Sequence, residues 1–230
     1  RQLGDQEVDI ISMASGICKE ALLLDNPHDI LETLDRAYFT AITGRPGPIW
    51  IDIPSDIQSF SLPDDYINLI SSKPTTYELF DIPFASKSDI ETIALKLLEL
   101  KRPVLYVGSG IRSSKSHNQF LDFLHKWPIA TVTGWNSHDL LPNCHPSYCG
   151  RPGTVGNRAG NFSVQYSGFL LVVGCRLNIR QISYNWTKFA PHAWKCHVDI
   201  DQSELDKPTL DFNLKVHSTA LNFFVELDLA

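Results

Sequence analysis

The residues of this sequence that could do chemistry gather at the ends of apolar runs. Pro103-Val104-Leu105-Tyr106-Val107 runs into Gly108-Ser109-Gly110, with Ile111-Arg112 next. A continuous apolar run reads as a buried parallel strand. Glycine at its carboxyl end allows a sharp turn and lets a ligand approach the backbone. In open α/β sheets, ligands bind beyond the carboxyl ends of the strands. A second run, residues 169–173, ends in Gly174-Cys175-Arg176. The planar fork of Arg176 can hold a phosphate or a flavin-like ring edge, and equally a surface carboxylate. A third, residues 196–201, ends in Asp199-Ile200-Asp201. Carboxylates at such an end can accept from ribose hydroxyls. They can also cap a following helix, with Ser203 and Glu204 in its first turn. Gly108-Ser109-Gly110 is half of the dinucleotide fingerprint, because Ser113 stands at the third glycine position. A tight strand-to-helix turn without a ligand is the other reading.

Other constellations do not form. Cys144-His145 and Cys149 lack zinc spacing and a second pair, so no metal site is expected. There is no Gly-x-Ser-x-Gly, His-Glu-x-x-His or Walker loop. Lys19 reads as solvated surface. Asp52, between apolar neighbours, reads as internally hydrogen-bonded.

The elements that must position these tips alternate. Residues 1–25 read as a short strand or loop followed by a helical turn. Residues 29–42 form an amphipathic helix, with Asp29 as cap and Glu32 as its capping-box partner. Ile49-Trp50-Ile51-Asp52-Ile53 is a strand that Pro54 ends. Residues 55–85, rich in Ser, Pro and Asp, read as a linker. A helix at 89–100 is capped by Ser88, with Glu91 three residues on. Strands are expected at 104–107, 129–132, 169–173, 196–201 and 214–216. Helices are expected at about 116–126, ending near Tyr166, and at 218–227. Residues 134–160 look irregular. This alternation predicts an α/β fold, a doubly wound parallel sheet with helices on both faces.

Composition sets the bounds. The chain has 230 residues, 43% hydrophobic and 20% charged, enough for a sizeable core. The net charge of −6, with no run of Lys or Arg, argues against nucleic-acid and membrane-surface partners. No apolar run is long enough to span a bilayer. Five cysteines, Cys18, Cys144, Cys149, Cys175 and Cys196, do not make a secreted disulfide framework. Reduced thiols and a cytoplasmic location are the expectation.

Three stretches together resemble one family. They are Arg1-Gln2-Leu3-Gly4-Asp5-Gln6-Glu7-Val8-Asp9-Ile10, Gly44-Arg45-Pro46-Gly47-Pro48-Ile49-Trp50-Ile51-Asp52-Ile53-Pro54, and Gly174-Cys175-Arg176-Leu177 with Val198-Asp199-Ile200-Asp201. The sequence resembles thiamine-diphosphate-dependent enzymes of the acetolactate synthase type. The resemblance implies that residues 1–57 are the end of a pyrimidine-binding domain, 58–84 a linker and 85–230 the central domain. It implies a catalytic Glu before Arg1 and a Gly-Asp-Gly stretch for magnesium and diphosphate after Ala230, so this piece alone would be inactive. It implies thiamine diphosphate and Mg2+ as cofactors of the parent enzyme, a 2-keto acid substrate, and a homodimer or homotetramer.

Gln6 and Lys19 match positions near the substrate. For FAD or ADP in the central domain, the matching positions are Gly108, Ser109, Gly110, Arg112, Thr133, Gly134, Gly153, Thr154, Gly174, Arg176, Asp199 and Asp201. The alternative is a non-catalytic assembly module with an empty nucleotide cleft. A free-standing NAD-binding domain of deoxyhypusine-synthase-like or sirtuin-like fold is a third reading.

Overall fold

The structure, a computed structural model, describes residues 4, 5, 7–66 and 82–230. Gln6 and residues 67–81 of the expected linker lie outside the described residues. The chain divides into two units, Arg1–Asp81 and Ile82–Ala230.

In the first unit, Asp9 opens a short helix, α1 (Ile10–Ala14), by accepting from the Ser12 N–H at 3.1 Å. Strand β1 (Glu20–Leu23) follows, so the helical turn precedes the strand rather than following it. A 3-10 turn (Pro27–Asp29) leads into α2 (Ile30–Ile42). Asp29 makes no side-chain cap. Asn26 does that work one turn earlier by accepting from the His28 N–H, and its amide also holds the Asp29 carboxylate at 3.0 Å. Strand β2 (Ile49–Asp52) pairs in parallel with β1, from Glu20↔Ile49 to Leu23↔Asp52. Asp52 thus ends its strand instead of interrupting it. A one-turn helix, α3 (Ser55–Gln58), begins where a linker was expected.

The second unit opens with α4 (Lys87–Glu99). Its cap is Ser86, which accepts from the Asp89 N–H at 3.1 Å, rather than Ser88. Then come β3 (Pro103–Val107), α5 (Gly110–Ser113), α6 (His117–Lys126) and β4 (Ala130–Thr133). A 3-10 segment (Trp135–Leu140) precedes β5 (Tyr148–Gly150), a three-residue strand inside the stretch that looked irregular. Next are α7 (Arg158–Gln165), β6 (Phe169–Val173), α8 (Ile179–Ile182) and β7 (Trp194–Asp199). The unit closes with α9 (Gln202–Leu205), β8 (Leu214–His217) and α10 (Ala220–Leu229).

All six strands are parallel, in the order β5-β4-β3-β6-β7-β8. Numbered by appearance within this unit, that is 3-2-1-4-5-6, the doubly wound order of dinucleotide-binding sheets. The expected fold class is what forms. Alternate residues of β3 enter opposite cores. Leu105 and Val107 pack with α4, α6 and α10 residues such as Ile93, Phe120 and Phe223. Val104 and Tyr106 pack with Val164 of α7 and Ile182 of α8. Every residue of β6 is buried. Each such side chain contributes about 1.5–3 kcal/mol by leaving water, which makes this strand the rigid axis that carries the tips.

Candidate functional site

The reversal of strand order falls between β3 and β6, and the two glycine-tipped loops meet there. The ladder runs on past both strands. The Gly108 N–H donates to the Val173 carbonyl (3.1 Å), Gly110 N–H to Gly174 carbonyl (3.0 Å) and Gly174 N–H to Val198 carbonyl (2.9 Å). A Cβ placed on Gly108 would lie 2.2 Å from the Gly174 oxygen, and one on Gly110 would lie 2.6 Å from Gly174 Cα. Gly174 itself has φ +56°, a left-handed conformation that glycine adopts without strain. The glycines are needed here because backbone meets backbone.

The charged residues at the tips also have partners. Arg112 donates to Asp139 Oδ2 at 2.8 Å and to the Asp139 carbonyl at 3.3 Å. Arg176 Nε donates to Glu204 Oε1 at 2.7 Å, and Lys207 pairs with the same carboxylate. Burial pushes the Glu204 carboxyl up, but bonds from Lys207 and Arg176 outweigh it and hold the group below its ordinary value. Asp201 caps α9 by accepting from the Ser203 N–H at 2.9 Å. The buried Asp199 accepts from the Asp201 N–H at 3.0 Å. Ser109 accepts, through its carbonyl, from the N–H groups of Arg112 and Ser113.

The β4–β5 side of the same edge is different. Gly134 N–H donates to the Val107 carbonyl at 2.8 Å. Gly153, at φ +124°, donates its N–H to Asn161 Oδ1 (2.9 Å), and Thr154 N–H and Oγ1 both donate to the Arg180 carbonyl. Gly153 and Thr154 line a cavity of about 250 Å³ with Asn161, Gln181, Ser183 and Phe189. Trp135 Nε1, beside Gly153, and Thr133 Oγ1, at the end of β4, are buried without a hydrogen-bond partner. The Arg180 guanidinium lies 5.8 Å from the Trp135 ring centre. Gln181 is the hub that sequence reading missed. It closes a capping box with Asn178 and donates to Cys175 Sγ at 3.5 Å. The box, Asn followed three residues on by Gln, was spelled in the sequence.

In the first unit, Lys19 does not stand free. Its ammonium donates to the carbonyls of Thr40 and Thr43, the latter at 2.7 Å, at the carboxyl end of α2. A cation there satisfies orphan carbonyls and complements the helix dipole. Gly47 leaves room for its stem, since a Cβ would meet Lys19 Cγ at 2.9 Å.

A doubly wound α/β domain, closed on itself at its switch point, is thus the class of the second unit. Its family follows from comparison. Residues 90–224 match the thiamine pyrophosphate enzyme central domain, and the chain belongs to that family. It is similar to the acetolactate synthase large subunit of Corynebacterium glutamicum, 33% identical over 202 residues, 88% of this chain and 32% of that protein. The isozyme 1 large subunit of Escherichia coli is 32% identical, over 88% of this chain and 34% of its own length. The acetolactate synthase large subunit of Buchnera aphidicola subsp. Schlechtendalia chinensis is 30% identical over 223 residues, 96% of this chain and 38% of that protein. The chain spans about a third of the length of these curated relatives.

The strand tips meet a dinucleotide's diphosphate only in part. The amides of Gly108, Gly110, Gly134 and Gly174 donate to backbone carbonyls and both tip arginines hold carboxylates, whereas the amides of Ser109, Cys175 and Arg176 make no such bond. Among the described residues no group of three or more His, Cys, Asp or Glu could hold a metal ion. All five cysteines are free, and no helix among the described residues is long and apolar enough to cross a membrane.

Proposed function

We propose that this chain is part of a thiamine-diphosphate-dependent enzyme that decarboxylates a 2-keto acid and joins the resulting carbanion to an acceptor. The observation that carries this reading is the similarity to acetolactate synthases across both units, 88% of the chain, together with the central-domain match over residues 90–224. Thiamine diphosphate, with Mg2+, supplies the electron sink for decarboxylation when bound. The division into a pyrimidine-domain end (1–57), linker (58–84) and central domain (85–230) belongs to the same reading, as do a homodimer or homotetramer and the cytoplasm. On this reading the residues described here position and do not react. Lys19 fixes the end of α2, and the six-stranded sheet gives rigid support. FAD or ADP binding in the central domain belongs to the same resemblance.

The test is consumption of pyruvate and longer 2-keto acids by the full-length protein, with thiamine diphosphate and Mg2+ added or withheld. Turnover that needs both supports the proposal. No 2-keto acid consumption under any of these conditions overturns it.

A further inference from the structure

Charge is uneven along this chain. Between Asp139 and Asp199 it carries Arg151, Arg158, Arg176, Arg180, Lys188 and Lys195 but no Asp or Glu, although the whole chain has a net charge of −6. Several cations elsewhere pair with carboxylates, as Lys87 does with Glu91, Lys96 with Glu99 and Lys126 with Asp228. Within the stretch only Arg176 does so among the described residues, and its partner, Glu204, comes from outside.

The same stretch folds into a groove. One wall is Asn161, Phe162 and Gln165 of α7 with Tyr166 just after it, the other is Pro191 and His192 on the way to β7, and the space between is about 460 Å³. No carboxylate lines it among the described residues. Phe162 and Tyr166 are 47% and 59% exposed, and their rings stack at 5.6 Å. The Arg158 guanidinium lies 5.4 Å from the Phe162 ring centre, so a cation and two rings stand in line along the helix. Lys188 precedes Pro191 by three positions.

We infer that this groove docks an acidic peptide segment of another protein. The segment sets a tyrosine or another bulky apolar side chain beside Phe162 and Tyr166, and its carboxylates against Arg158 and Lys188. Exposed rings beside an arginine without a carboxylate are the composition of an interface core. The exposed Gln165 carboxamide can both donate to and accept from a peptide backbone. Other occupants fit less well. A nucleic acid would stack bases on the rings, but Arg158 covers Phe162, and Phe162 and Tyr166 cover each other. A symmetric pair of chains meeting through the groove would bring the same patch against itself. Arg158 and Lys188 would then face like charges, which repel.

The inference goes beyond the proposed reaction and is read by binding, so it is decided apart from 2-keto acid consumption. The full-length protein is titrated with a fluorescent glutamate–tyrosine copolymer. Poly-glutamate, a lysine–tyrosine copolymer, oligothymidylate and phosphatidylserine vesicles are the comparisons. Saturable binding of the glutamate–tyrosine copolymer is expected, with weaker binding of poly-glutamate and none of the other three. Arg158→Glu and Phe162→Ser should each weaken it about tenfold. Lys87→Glu, on α4 across the sheet from α7, should not.

No saturable binding of the glutamate–tyrosine copolymer overturns the inference, as does equal binding of poly-glutamate or equal weakening by Lys87→Glu. Tighter binding of oligothymidylate or of the vesicles overturns it in favour of a nucleic acid or a membrane. A lower oligomeric mass of Phe162→Ser in sedimentation would put a second copy in the groove, and overturns it too. The three side chains are exposed, so the variants are expected to fold. If Phe162→Ser does not, Arg158→Glu against Lys87→Glu decides.

Discussion

Strands β2 and β6 are alike in sequence and unlike in cover. Both are largely apolar and pair in parallel. Yet every residue of β6 is buried, whereas none of β2 is fully buried and Trp50 is 40% exposed. The difference lies in neighbours. β6 has a strand on each edge, β3 and β7, and a core on each face. β2 has β1 alone among the described residues. An apolar run says that a strand belongs in a sheet, but its depth is set by what pairs beside it.

The sharpest test of that contrast is a matched truncation. Leu171→Ala in β6 should cost about 2–5 kcal/mol in chemical denaturation, the range for a fully buried leucine. Ile51→Ala in the half-buried β2 should cost about half as much or less. Equal losses would break the comparison.

A second test uses the depth of β7. His197 is buried, donates from Nε2 to the Cys175 carbonyl (3.1 Å) and keeps Nδ1 without a hydrogen-bond partner. Burial pushes its pKa down to about 4, against the Cys175 carbonyl and Glu204, which favour the charged form. Between that value and about 6.5 the unfolded chain binds a proton that the fold does not, so stability rises with pH there. The contribution is fully present above pH ~6.5 and lost as pH falls toward 4. It amounts to about 2–4 kcal/mol. Denaturation of His197→Phe should show a shallower slope in that window, and an unchanged slope would refute the assignment.

The smallest effect belongs to the exposed side of the comparison. Lys19→Met should cost about 1 kcal/mol, the worth of a charged group on helix-end carbonyls. A loss several times larger, read in the same denaturation experiment, would mean that Lys19 does more than close α2.

These contrasts also explain what the sequence made legible. Buried strands β3 and β6 show themselves because both faces are apolar. β5 does not, since it has three residues and includes Gly150. The cap of α4 moved from Ser88 to Ser86 because two serines compete and spacing alone cannot rank them. The tips were placed at the right strand ends, but their partners were out of reach. Asp139 lies 27 positions from Arg112, and Glu204 lies 28 from Arg176. Only the folded sheet brings them together, and only it shows Gly108 and Gly110 packed against Gly174.

The β3–β6 seam has one more consequence. Its five register pairs run from Pro103↔Phe169 to Val107↔Val173. All three strands on one side of it precede Gly168 in the chain, and all three on the other side follow it. A nick between Tyr166 and Gly168 would therefore leave two pieces with three strands each. The interlocked loops act as a key between those pieces, so the sheet is built like a split reporter, with the instruction for reassembly written along the seam and at the end of it away from the cut.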